Sequence, residues 1–146
     1  MAYDPAAMMQ KIRSFLSASA RFPGGVTIGE PKGKPSDVAA AVLLGDGGTP
    51  EMTMTYAQGR QTVVVRLYAN AELREPPEHV ELLMGRMLYE VIEDFCGDFD
   101  WSDANVRNLL VTEVTWRLGY QTLETTMHRI ADIMLPTLIN DVAALT

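Results

Sequence analysis

Gln61-Thr62-Val63-Val64-Val65-Arg66-Leu67-Tyr68-Ala69-Asn70 is the stretch on which the fold turns. Val63, Val65 and Leu67 alternate with Thr62, Val64, Arg66 and Tyr68, and β-branched residues dominate, as in a strand that lays one face on a core. Downstream, Pro76-Pro77 open a run in which Val80, Leu83, Met84, Met87, Leu88, Val91, Ile92 and Phe95 recur at i, i+3, i+4, i+7, i+8, i+11, i+12 and i+15. That spacing predicts a helix over 77–96 with one apolar stripe. Glu78 and Glu81 occupy the first turn, where they complement the positive end of the helix dipole, and Gly97 ends the element. A strand with one apolar face and a helix with one apolar stripe bury both by packing together, through Leu83, Met87, Val91 and Phe95 on the helix side.

Upstream, Val38 to Leu44 is a run of small apolar residues bounded by Asp37 and by Gly45-Asp46-Gly47-Gly48. It suits a strand buried on one face and closely approached by other backbone. Residues 45–60, rich in Gly, Thr and Met, then read as a long polar loop. A hairpin needs only two to five connecting residues, so such a surplus implies a use for the loop. Met52 and Met54, in a polar segment where burial within one subunit is not expected, are a binding signal. Earlier still, Asp4 as N-cap, Pro5 at the first helical position and Met8, Ile12, Phe15, Leu16 and Ser19 at helical spacing predict a first helix that Pro23-Gly24-Gly25 stops. The extended Val26-Thr27-Ile28 leads into Glu30-Pro31-Lys32-Gly33-Lys34-Pro35, whose prolines forbid helix and central strand and make it a shaped, exposed connection.

Toward the C-terminus an acidic, aromatic linker at Asp98 to Ser102 precedes a strand over Val106 to Leu118, which contains Leu109, Val111, Val114 and Trp116. Residues 120–138 stay open between two readings. Leu123, Met127, Ile130 and Met134 fit a helix, whereas the threonines and Pro136 fit extended structure.

The 146 residues suit a single domain with one core, and a hydrophobic share of 47% against 21% charged excludes global disorder. No apolar run approaches the ~18 residues that span a bilayer, and Asp4 and Pro5 stand where a signal peptide would carry basic residues, so synthesis in the cytoplasm and no membrane partner are expected. The formal charge of -7, with no cluster of Lys and Arg, disfavours tight nucleic-acid binding. Cys96, the single cysteine, excludes an internal disulfide and is expected as a buried, reduced thiol on the apolar side of the helix end.

Chemistry-bearing residues do not assemble into a site. His79 and His128 form neither an HxxxH nor an HxH pair. Asp94, Asp98, Asp100 and Asp103 lack the spacing and the closing glutamate of a calcium loop and read as a solvated helix end and turn. Gly45-Asp46-Gly47-Gly48 follows a strand, but no Gly-Lys-Ser/Thr comes after it and the next element is a strand rather than a helix, unlike a phosphate-cradling loop. With no Ser/His/Asp or Cys/His grouping legible, the chain is expected not to be an enzyme and to have no catalytic residue, cofactor or metal.

Order and spacing of short motifs carry a resemblance. The run Val26-Thr27-Ile28-Gly29-Glu30-Pro31-Lys32-Gly33-Lys34-Pro35, the Ala-rich Val38 to Leu44, Val63-Val64-Val65-Arg66-Leu67-Tyr68-Ala69-Asn70, Arg117-Leu118-Gly119-Tyr120 and Leu135-Pro136-Thr137-Leu138-Ile139-Asn140-Asp141 resemble, in that order, the tail terminator proteins of actinobacteriophages and related siphophages. The likeness runs from the first helix to Asp141. It implies an α+β fold: a mostly antiparallel sheet of about four strands with two helices packed on one face, in a ring-forming subunit. It also implies that 120–138 is a β-hairpin, although Leu123-Glu124-Thr125-Thr126 stands where the family often has an Asp-Gly turn.

The implied role is that of a structural virion protein. A homohexameric ring caps the head-proximal end of the tail tube, stops its polymerisation and offers the docking surface for the head. Its partners are copies of itself, the major tail tube protein and a head-completion or connector protein, while DNA passes through the lumen without specific binding. Six copies would carry a formal charge of -42, six times -7, which repels the DNA backbone. The connections at 29–37 and 45–60 then supply the expected interface residues: Glu30, Pro31, Lys32, Lys34, Pro35, Met52, Met54, Tyr56 and Arg60. A neighbouring neck or tail-tube component is the alternative in the same class, and a small ligand-binding or enzymatic α+β domain the alternative in another.

Overall fold

Strand pairing is centred on the valine-rich stretch. In a computed structural model that describes residues 5–52, 57–72, 77–97, 99, 110–111 and 113–139, that stretch lies within β3 (Ala57–Asn70). The remaining elements are α1 (Pro5–Ser17), β1 (Val26–Ile28), β2 (Ala39–Met52), α2 (Pro77–Gly97), β4 (Leu110–Val111), β5 (Thr115–Leu123) and β6 (Thr126–Ile139). One mixed sheet has the order β1-β2-β3-β6, with β4 and β5 successively along the far side of β6. Among the described strands only β1 runs parallel to its neighbour. The chain is therefore α+β, with six strands among the described residues where about four were expected.

Alternation along the strands sorts the two faces. Val63, Val65, Leu67 and Ala69 of β3 align with Leu135, Ile133, Ala131 and Arg129 of β6, and Leu67 and Val65 align with Ala40 and Val42 of β2. The apolar members of these rows are buried in the core. Both helices cover that face, α1 over β1 and β2 and α2 over β3 and β6. Helix α1 buries Met8, Ile12 and Leu16, and α2 buries Val80, Met84, Met87, Leu88, Val91 and Phe95, with Leu83 and Ile92 half-buried at the margins of its stripe. Phe15 of α1 meets Phe95 and Phe99 at centroid distances of 5.2 and 5.0 Å, joining the two helices through an aromatic cluster. Asp4, the expected N-cap, lies outside the described residues.

Backbone crowding explains the glycine after α1. The Gly24 amide donates to the Val38 carbonyl at 2.8 Å, and a Cβ on Gly24 would come within 2.4 Å of the Asp37 carbonyl oxygen, so only glycine lets the chain pass there. This is the close backbone approach expected at the start of the Val38 to Leu44 strand.

The loop expected at 45–60 is instead a continuation of the β2–β3 hairpin: β2 runs to Met52 and β3 begins at Ala57. Gly45 and Asp46 lie between the Leu44–Val63 and Gly47–Gln61 pairs, opposite Thr62 alone. Thr49 and Pro50 likewise oppose only Gly59. These are two β-bulges, and their glycines and proline are what made the segment read as a loop. A second correction concerns Cys96, which is exposed. It follows Phe95 by one residue, about 100° round the helix, and so turns off the buried stripe.

The strand expected over 106–118 falls in two pieces. Val106 to Leu109 and Thr112 lie outside the described residues, and β4 and β5 flank the break. That break sits opposite Leu135 and Pro136 of β6, where a proline in an inner strand has no N–H for a neighbour to accept. Residues 115–139 form a β-hairpin, as the resemblance implied and against the helical spacing of Leu123, Met127, Ile130 and Met134. Its turn is Glu124-Thr125, with φ of 48° and 67°. Two consecutive left-handed residues define a type I′ turn, which matches strand twist but burdens non-glycine residues, β-branched threonine above all.

Two outcomes test this account. Met87→Asp places a charge where α2 meets the sheet and should destabilise the fold by about 4 kcal/mol or more; a soluble variant with unchanged melting would contradict the packing. Thr125→Gly should instead raise stability by about 1 kcal/mol by relieving the left-handed threonine, measured as a higher urea midpoint with an unchanged slope.

Candidate functional site

The residues singled out for interface contacts separate into a strap, 29–37, and the β2–β3 ribbon. The strap leaves β1 where the Gly29 amide donates to the Val42 carbonyl at 2.9 Å and turns back over the sheet face that the helices leave uncovered. Arg66 of β3 holds it there. Its Nη1 donates to Glu30 Oε1 at 2.5 Å and to Gln121 Oε1 of β5 at 3.3 Å, and Gln121 Nε2 donates to Glu30 Oε2 at 3.2 Å. Farther along, a Cβ on Gly33 would stand 2.8 Å from the Glu124 carboxylate, so the strap reaches the β5–β6 turn. Pro31 and Pro35 are half-buried, whereas Lys32 and Lys34 are exposed. Glu30 is thus committed to a contact within the chain.

Alternation puts Arg66 on the outer face because Val65 and Leu67 face the helices, and register puts Asp132 directly across from it. The guanidinium grips Asp132 as a fork, Nε to Oδ1 at 2.7 Å and Nη2 to Oδ2 at 3.1 Å. With side chains 20% and 19% exposed, the pair is partly withdrawn from water, where a two-bond geometry is strong. Asp132 raises the Arg66 pKa far above its usual value, against the opposing effect of burial. Next along the same face, Tyr68 is fully buried. Burial pushes its hydroxyl pKa up, the Glu30 charge adds to the rise, and Arg66 opposes it. His128 meets the Tyr68 ring edge-on at 6.5 Å and pairs its Nδ1 with the Thr126 carbonyl at 3.1 Å. It is a buried structural histidine, whereas His79 is exposed.

In the ribbon, Arg60 is exposed on β3 and Met52 is the last residue of β2. Met54 and Tyr56 lie outside the described residues. Below the ribbon the outer face is hollowed between β2 and β5, and Leu44, Asp46, Val64, Arg66, Arg117 and Met134 line that open depression.

A surface that sequence reading missed lies on the other face, at the β5 edge. Trp116, Leu118 and Tyr120 point to the helix side, in register with Ile133, Ala131 and Arg129, yet are 41, 41 and 57% exposed because β5 extends past the cover of α2. Tyr89 of α2, 60% exposed, borders them, and Leu82, 68% exposed, lies two helical turns before it. The Tyr89 and Trp116 rings meet edge-on at 5.7 Å. Arg129 lies 4.6 Å from the centre of the Tyr120 ring and pairs with Glu81 at 2.6 Å. The signal was present: Trp116, Leu118 and Tyr120 alternate with Arg117, Gly119 and Gln121, and Leu82 and Tyr89 recur at i, i+7 off the buried stripe.

Among the described residues no three His, Cys, Asp or Glu side chains are grouped to hold a metal, and no helix is long and apolar enough to cross a membrane. Asp94 is engaged by Arg21, while Asp98, Asp100 and Asp103 lie outside the described residues. The described residues offer contact surface in three places: a pinned strap, a long ribbon and an aromatic strand edge.

Replacing Arg66 with Ala should cost about 2–3 kcal/mol, since it leaves Asp132 and Glu30 without their shared cation. Lys32→Ala, at an exposed position beyond that clasp, should leave melting unchanged. Equal melting of both variants would refute the clasp. Comparison with known proteins finds no protein-family model that matches the chain and no curated protein similar to it in sequence.

Proposed function

We propose that this chain is a phage tail terminator: a structural virion subunit, without catalytic activity, that forms a homohexameric ring on the head-proximal end of the tail tube. The observation that carries this reading is the β2–β3 ribbon, in which β2 continues for ten residues beyond its last pair with β1 at Val42, reaching Met52. At ~3.3 Å per residue that is on the order of 30 Å of strand. A hairpin so long is a contact arm for a tube subunit or an adjacent copy, and the sequence from 52 to 56 supplies the apolar and aromatic types Met52, Met54 and Tyr56. The α+β class, with both helices on one face and a hairpin at 115–139, agrees with what the resemblance implied and supports the reading further. In this reading the interface residues of the strap act through Lys32 and Lys34, while Glu30 holds the strap in place. The acidic balance of the chain keeps DNA from adhering as it passes through the ring.

Replacing residues 52–57 with Asn-Gly closes the hairpin on the Glu51–Gln58 pair and removes Met52, Met54 and Tyr56 without touching the core. The subunit should melt as the wild type does, and electron microscopy of virions assembled with it should show overlong tails not joined to heads. Normal tails on heads would refute the assignment of the ribbon. Loss of the whole protein separates the neighbouring roles: overlong tails mark a terminator, absent tails a tube subunit, and finished tails beside unsealed heads a head-completion protein.

A further inference from the structure

Among the described residues, both sides of the sheet end in strand without a partner. On one side β5 pairs with β6 and no described strand lies beyond it. On the other, β1 covers β2 only from Ala40 to Val42, which leaves Leu43–Met52 with β3 on one side and no described strand on the other. Natural sheets blunt such edges with lysines, prolines, bulges or a covering element, because a row of free N–H and C=O groups pairs with whatever strand it meets. Thr115–Leu123 contains no lysine and no proline, and it carries Trp116, Leu118 and Tyr120 exposed beside it.

We propose that copies of this chain join head to tail by strand pairing, the β5 edge of one copy against the free length of β2 of the next; this deepens the ring reading and rests on it for closure into a ring. Direction permits the joint. β2, β3, β6 and β5 are successively antiparallel, so β2 and β5 run in opposite senses. Two copies set side by side in the same orientation, as ring neighbours are, then present β5 to β2 as an antiparallel pair, the better-bonded arrangement.

Charge selects this joint over the two symmetric ones. Between Leu43 and Met52 the only charged residues are Asp46 and Glu51; between Thr115 and Leu123 the only one is Arg117. Pairing β2 with β2 joins two edges that carry only acids, and pairing β5 with β5 joins two that carry only an arginine, whereas β5 on β2 brings edges of opposite charge together. Apolar surface completes it. Exposed Leu44 stands where β2 leaves β1, and exposed Trp116, Leu118 and Tyr120 lie on β5 with Tyr89 against Trp116. The bulges at 45–46 and 49–50 bend the β2 edge, so that it accepts a strand curved to match and resists flat stacking with unrelated strands.

The test uses two exposed positions, Leu118→Lys on β5 and Leu44→Lys on β2, with the oligomeric state read by light scattering and native mass spectrometry over a wide concentration range. Wild-type protein should assemble, and each variant, melting as the wild type does, should be a monomer. An equimolar mixture should give a dimer of the two variants and nothing larger, because only one intact β5 edge and one intact β2 edge remain to meet. If Leu118→Lys melts early, Tyr120→Lys replaces it. A monomeric wild type, a variant that still assembles, or a mixture that stays monomeric overturns the joint. Rings that survive both substitutions would sink the joint and leave the terminator reading standing. Rings that depend on these edges, in a virus whose tails keep their length without the protein, would sink the terminator reading and leave the joint.

Discussion

Pairing of β3 with β6 runs unbroken from Gly59–Ile139 to Asn70–His128, and every other part of the molecule takes its place from that register. Strand side chains alternate with a strict period of two, so a slip of one residue would turn Val63, Val65 and Leu67 to water and drive Arg66 into the core. Hydrophobic burial alone resists the slip, since each fully buried Val or Leu is worth roughly 1.5–3 kcal/mol relative to exposure. The fork between Arg66 and Asp132 adds a polar condition on the opposite face, satisfied only in the native register. Because Arg66 also holds Glu30 and Gln121, the lock between two inner strands is the one that positions the strap and ties it to β5.

How much of this the chain reveals by itself depends on whether the signal is local. The alternation of β3 and the apolar stripe of α2 are local, and both elements stand close to where their periodicity places them. The bulges are local too, but they mislead: three glycines and a proline in a strand look like a loop until the partner strand shows that two residues oppose one at each bulge. The β5–β6 hairpin gave conflicting signals. Leu123, Met127, Ile130 and Met134 have helical spacing, yet in the sheet Ile130 and Met134 point to the outer face between the buried Ala131, Ile133 and Leu135, so the period of two outweighs the period near four. Nothing local announces Glu124-Thr125 as a type I′ turn, because the strands on either side impose it.

The clasp was illegible for a different reason. Glu30, Arg66, Gln121 and Asp132 come from four separate parts of the chain, and no spacing rule connects them. A shaped connection containing two prolines reads as free surface; the sheet alone shows that the glutamate before them is spoken for and that the lysines between them remain outward. The aromatic edge at Trp116, Leu118 and Tyr120 was readable as a half-apolar strand, but its exposure depends on where α2 stops, which is a property of packing.

An unpaired strand edge has a consequence for assembly that a side-chain patch lacks. Main-chain groups recur at every residue, so they supply direction and spacing, while the side chains beside them decide which partner fits. A joint between the two different edges of one sheet is heterologous, and such a joint adds copies without end unless each step turns through a fixed angle. Twist between neighbouring strands, typically about 20–25°, and the sharper bend at each bulge are the features of this sheet able to set that angle. The bulges in β2 therefore have two roles in the proposed ring. They deny the edge to indiscriminate strands, and they contribute the curvature on which closure depends. Removing Asp46 alone, which would leave Gly45 to pair with Thr62 and restore regular pairing, is then expected to change the size or closure of the assembly rather than the strength of a single joint.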